Sequence, residues 1–128
     1  MSNSEIQKII FYSSAQGKIS FEEVIGGIVN FVKKDPKRFY KIIIGTDSEA
    51  SSPVALVTAV TIWRVGNGAI HFWTKTEERK FATLRDRIWQ EAISSITLAQ
   101  EFRSHLQKVL GDEFFWDGNE IHVDIGEN

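Results

Sequence analysis

Apolar residues recur at helical intervals after Ser20: Phe21, Val24, Ile25, Ile28, Val29 and Val32 fill one stripe and predict an amphipathic helix. Ser20 followed three residues later by Glu23 is a capping-box spacing, and Asp35-Pro36 closes the segment. The Gly26-Gly27 pair inside this helix costs about 1 kcal/mol per glycine relative to alanine. It marks either a close approach by another element or a tolerated irregularity.

The period then changes. Residues 39–46 hold the branched run Ile42-Ile43-Ile44, which predicts a short strand covered on both faces and ending at Gly45-Thr46-Asp47-Ser48. Residues 54–65 and 69–76 read as two further strands joined by the tight turn Gly66-Asn67-Gly68. From 81 to 110 the helical pattern returns, with Leu84, Ile88, Ala92, Ile96, Leu98, Ala99, Phe102, Leu106 and Val109 on one broad arc and Gly111 as the stop. A polar and aromatic loop over 112–119 leads to a last branched strand over 120–126. A strand, a helix and a following strand form a right-handed parallel crossover, so the last strand is expected parallel to an earlier one. Placed beside residues 39–46, it makes a mixed α/β sheet of three antiparallel strands and one parallel addition.

At 128 residues, 42% hydrophobic and 25% charged, the chain suits one domain spanning 1–128, with a helical N-terminal extension over about 1–37. Fifteen Lys and Arg against 17 Asp and Glu leave a net charge of −2, so attraction of a polyanion must rest on a local site. The absence of Cys excludes disulfides, thiolate catalysis and Cys-ligated metals. The apolar run Ile9-Ile10-Phe11 is too short for a signal or a membrane span, which makes a cytoplasmic protein the expectation.

Three carboxylates stand where the pattern calls for apolar side chains. Asp47 follows the Ile run, Asp124 interrupts Ile121-His122-Val123-Asp124-Ile125, and Glu91 falls on the apolar arc of the long helix. Burying carboxylates together is costly unless a cation holds them, and hard divalent ions prefer oxygen ligands. A Mg²⁺ or Mn²⁺ site accounts for all three at once. Each also has an ordinary reading: a strand-end turn for Asp47, an ion pair with Arg85 or Arg87 for Glu91, a half-buried strand for Asp124.

His122 alternates with Asp124 and shares its strand face, though such a histidine is more often structural, while His71 and His105 have no ligand spacing. Basic residues cluster at Lys33, Lys34, Lys37, Arg38 and Lys41, read as a solvated face, and at Arg79, Lys80, Arg85 and Arg87, which lead into the helix carrying Glu91 and suit phosphate contact. Trp63, Trp73, Trp89 and Trp116 are able to stack on bases, but most Trp in a small domain belong to the core.

The segment Ile43-Ile44-Gly45-Thr46-Asp47-Ser48, the hairpin strands, the helix Leu84-Arg85-Asp86-Arg87-Ile88-Trp89-Gln90-Glu91 and the ending Ile121-His122-Val123-Asp124-Ile125-Gly126 resemble the YkuK-type group of bacterial ribonuclease H-like proteins. The resemblance covers residue 39 onward. It implies a ribonuclease H-like fold and a metal-dependent nuclease acting on RNA, DNA or hybrids, with Asp47, Glu91 and Asp124 as catalytic ligands of Mg²⁺ or Mn²⁺. Ser48, His122 and Glu127 are candidates to support those ligands. Two metals about 3.5–4 Å apart would activate a water and stabilise the leaving oxygen, with Asp47 bridging.

The sequence departs from that pattern after Asp124, where ribonuclease H-like nucleases continue to a further acidic ligand. The reading is therefore either a truncated chain or a C-terminally shortened form, with a homodimer expected through the edge of the last strand. A non-catalytic nucleic-acid-binding or assembly module is the main alternative. A lobe of a sugar-kinase or actin-type ATPase ranks below it, because such proteins need two lobes.

Overall fold

The computed structural model describes residues 3–48, 55–76 and 80–125. Its elements run α1 (Asn3–Ile6), β1 (Ile10–Ser13), β2 (Gly17–Ser20), α2 (Phe21–Lys34), β3 (Tyr40–Ser48), β4 (Leu56–Arg64), β5 (Ala69–Lys75), α3 (Leu84–Leu110), α4 (Glu113–Trp116) and β6 (Glu120–Asp124). The six strands form one sheet in the order β2-β1-β5-β4-β3-β6.

Local chemistry accounts for the helix ends. The Ser20 side chain accepts from the Glu23 N–H at 3.1 Å, and the Glu23 carboxylate accepts from the Ser20 N–H at 3.1 Å, a complete capping box. At the other long helix Thr83 caps the Asp86 N–H, and Gly111 ends it with φ +88°, a conformation costly for any other residue.

The glycine pair of α2 divides between its two readings. A Cβ on Gly27 would lie 3.3 Å from Phe72 Cζ, so this turn of the helix sits directly on β5, whereas a Cβ on Gly26 would meet nothing within 4 Å.

Pairing follows the expected mixed pattern, and the chain is an α/β fold with a mixed sheet. β3 runs antiparallel to β4 and parallel to β6, with Ile42 opposite Ile121 and Gly45 opposite Asp124. Asn119 locks this crossover: its Oδ1 accepts from the Tyr40 N–H at 2.7 Å while its Nδ2 donates to the Phe114 carbonyl at 2.7 Å. The start of β6 is thereby tied to the start of β3, which fixes where Asp124 falls.

Alternation then sorts the sheet into two unlike faces. Tyr40, Ile42, Ile44 and Thr46 of β3 are buried, as are Leu56, Thr58, Val60 and Ile62 of β4, and both long helices pack on this side. Phe11, Phe21 and Phe102 form an aromatic cluster there, with ring centroids 5.2–6.2 Å apart. On the opposite side Ala59, Trp63, His71 and Trp73 are exposed.

Several expectations need correction. Among the described residues β3 is covered by helices on one face only, and Ile43 on the other face is half-buried between its neighbours. The N-terminal stretch contributes a hairpin, β1–β2, that extends the sheet beyond β5. Its four-residue strands carry too little periodicity to announce themselves and depend on pairing with β5. On α3 the buried stripe is Ser95, Leu98, Phe102 and Leu106, while Leu84, Ile96 and Val109 are exposed. The broad arc drawn from hydropathy was wider than the sheet it meets. All four Trp lie at the surface, from 37% exposure at Trp73 to 74% at Trp116, because Phe, Tyr and branched side chains already fill the single-sided core.

Candidate functional site

Asp47 and Asp124 share the open face of the sheet. Thr46 and Ser48 both bond to α3, so Asp47 between them is turned to the other side, where it is exposed and accepts the Ser48 N–H at 2.9 Å. Asp124 is exposed opposite Gly45, and a Cβ built on that glycine would stand 3.5 Å from Asp124 Cβ and 3.9 Å from its Oδ2. Asp47 is the next residue on the same face of β3. The two carboxylates thus sit one pleat apart on adjacent strands, over a position left empty by the glycine.

Glu91 lies across the sheet from them. It is half-buried on α3, one turn before Ser95, and its Oε2 accepts the Ser48 hydroxyl at 2.5 Å. Ser95 continues the line by donating to Thr46 Oγ1 at 2.6 Å, and Thr46 meets Thr58 Oγ1 at 2.8 Å. This hydroxyl chain binds α3 to the centre of the sheet. Sequence reasoning missed Thr46, Thr58 and Ser95, although three small hydroxyl residues at buried positions are the signal that would have exposed it.

Among the described residues no group of three or more His, Asp or Glu side chains is placed to hold a metal ion. The expected trio therefore divides, with Asp47 and Asp124 on one face and Glu91 on the other. The other expected residues scatter. His122 faces the same side as Asp124 but pairs with Glu120, Nε2 to Oε2 at 2.6 Å, with both side chains about half exposed. Lys80 and Arg85 are exposed at the approach to α3, and Arg87 Nε is buried without a partner among the described residues. Arg79 and Glu127 lie outside the described residues.

A cavity of about 580 Å³ opens on the helix side, lined by Thr58, Thr74, Ser94 and Thr97 among others. It reaches none of the three carboxylates, so size alone does not identify the chemical site.

The order of strands and the carboxylates at the ends of β3 and β6 define an α/β protein with an acidic pair beside its parallel strand pair. The family model described as "Ribonuclease H-like" matches residues 23–128, and the chain belongs to this family. It is 31% identical, over an alignment of 130 residues, to "Uncharacterized protein YkuK" of Bacillus subtilis (strain 168), covering 92% of this chain and 74% of that protein. No solved structure matches. No helix among the described residues is long and apolar enough to cross a membrane.

Proposed function

We propose that the protein is a divalent-metal-dependent nuclease, hydrolysing phosphodiesters in RNA, DNA or hybrids, whose metal ligands are Asp47 and Asp124. The observation that supports this reading most is the pairing of Asp124 with Gly45, one pleat from Asp47 on an exposed face. The missing Cβ at Gly45 leaves room beside the Asp124 carboxylate. Mg²⁺ typically takes one or two carboxylates and completes its shell with water and phosphate oxygens, so this pair fits one such ion. The full trio does not fit, and no second ion is proposed.

A bound Mg²⁺ or Mn²⁺ would reverse the local negative charge and polarise the phosphodiester. The chain's own residues do the positioning. The Ser48 N–H orients Asp47 Oδ1, and Glu91 holds the Ser48 hydroxyl from the far side, so Glu91 steadies the end of β3 without touching substrate. Lys80 and Arg85, exposed before and at the start of α3, are the proposed phosphate contacts.

The test is incubation of purified protein with end-labelled RNA, DNA and hybrid oligonucleotides in Mn²⁺ or Mg²⁺. Cleavage is expected, and it is expected to vanish in EDTA and in Asp124→Asn. Absence of cleavage of every substrate in both metals sinks the reading. The orientation of Glu91 toward Ser48 favours a second reading, a non-catalytic nucleic-acid-binding or assembly module. It is distinguished by a gel shift of equal affinity in EDTA and Mg²⁺ without cleavage. β6 has β3 as its one strand neighbour among the described residues, so its outer edge is the proposed place for a second copy to pair. Concentration-dependent sedimentation reads that directly.

A further inference from the structure

The open face is ordered chemically as well as sterically. One registered row crosses all six strands: Lys18 opposite Tyr12, Tyr12 opposite Trp73, Trp73 opposite Ala59, Ala59 opposite Gly45, and Gly45 opposite Asp124. It runs from a cation through two aromatic rings and two small residues to a carboxylate. Neighbouring strands are about 4.8 Å apart, so the row is roughly 24 Å long and Trp73 stands roughly 14 Å from Asp124.

The aromatic rings are available. Trp73 is 37% exposed and stacks on Tyr12, ring centroids 6.1 Å apart and planes 20° apart. Trp63, two rows further along the same face beyond His71 and Thr61, is 39% exposed with Lys41 Nζ 5.7 Å from its ring. Charge is divided along the same axis. None of the residues of β1, β2, β4 and β5 is acidic, and Lys18 and Lys75 stand on the open side of β2 and β5. Among the strands, acidic residues are confined to the end of β3 and to β6, at Asp47, Glu120 and Asp124.

We infer that this face is a stacking platform for single-stranded nucleic acid, which lies across β1, β5 and β4 with unpaired bases on Tyr12, Trp73 and Trp63. The chemistry distinguishes this occupant from the alternatives. Exposed rings among cations, with Ala59 and Gly45 leaving a shallow floor, suit bases joined by a charged backbone. A second protein chain would meet lysines, His71 and Thr61 where an apolar interface core is needed. A base pair hides inside a duplex the faces that the rings would contact, so unpaired strands are preferred. The inference deepens the proposed function by naming its substrate class, yet the platform itself needs no metal.

The experiment is fluorescence anisotropy of labelled single-stranded DNA and RNA 12-mers titrated with the full chain in EDTA, beside a duplex of equal length. Single strands are expected to bind more tightly than the duplex. Trp73→Ala and Tyr12→Ala are each expected to weaken binding about tenfold, in line with the loss of a base-stacking contact. Trp73→Phe, which keeps a ring, is expected to retain most of the affinity and guards against a folding artefact. Trp89→Ala and Trp116→Ala, exposed but on helices, are expected to bind as the parent does. Equal binding by Trp73→Ala, preference for the duplex, or absence of binding in EDTA overturns the platform. So does a Trp73→Ala effect that sedimentation traces to a lost dimer. Metal-dependent cleavage with no effect of the ring variants would leave the nuclease reading standing and the platform refuted, so the two fail separately.

Discussion

On the helix side of β3, Tyr40, Ile42, Ile44 and Thr46 are buried, while Lys41, Ile43, Gly45 and Asp47, which alternate with them, lie on the side where Trp63 and Trp73 are exposed. The two faces share one backbone and one set of ladder hydrogen bonds, so their difference comes from side chains alone. The helix side holds the hydrocarbon, the Phe11–Phe21–Phe102 cluster and a hydroxyl chain that joins α3 to the sheet. The other side holds the carboxylate pair, the lysines and the exposed rings. Stability and the proposed chemistry thus fall on opposite sides, and a change on one side is expected to leave the other largely intact.

The largest expected effect is on the helix side. Phe102→Ala empties a fully buried site and is expected to cost about 3–5 kcal/mol in denaturant unfolding. Trp73→Ala, which removes a still larger ring from the open side, is expected to cost about 1 kcal/mol or less. Comparable losses in the two variants would break the division of labour.

Next in size is Thr46→Val, which keeps the shape but leaves Ser95 and Thr58 without their shared partner. An expected loss of about 1–3 kcal/mol separates a structural hydroxyl chain from an incidental one. The smallest effect compares the two glycines of α2. Gly26→Ala is expected to stabilise by up to about 1 kcal/mol, since its Cβ enters open space. Gly27→Ala is expected to gain less, because Phe72 must yield to it. Equal gains would show that α2 does not bear on β5 as closely as the contact implies.

Much of the fold was legible because the elements that carry it have strong local signals. Ser20 and Glu23 announce the start of α2, Gly66-Asn67-Gly68 the hairpin, and the helix between β5 and β6 the parallel crossover. The β1–β2 hairpin was not legible, since four-residue strands are stabilised by their partner and not by their own pattern. The positions of Asp47, Glu91 and Asp124 along their elements were also readable, but not the face each would take. Period-2 alternation decides that, and one residue of phase at the end of β3 turns Ser48 toward Glu91 and Asp47 away from it. The Trp residues misled for a related reason: a sheet covered on both sides would bury them, and among the described residues this one is covered on one.

The claim that most needs testing is that Asp47 and Asp124 act together on the open face while Glu91 serves Ser48 from behind. Calorimetric titration of Mn²⁺ into the parent protein, Asp47→Asn, Asp124→Asn and Glu91→Gln decides it. Measurable binding is expected in the parent, loss in both Asp variants with thermal stability unchanged without metal, and near-parent affinity in Glu91→Gln. Loss of Mn²⁺ binding in Glu91→Gln as complete as in the Asp variants, or no binding in the parent, would contradict it.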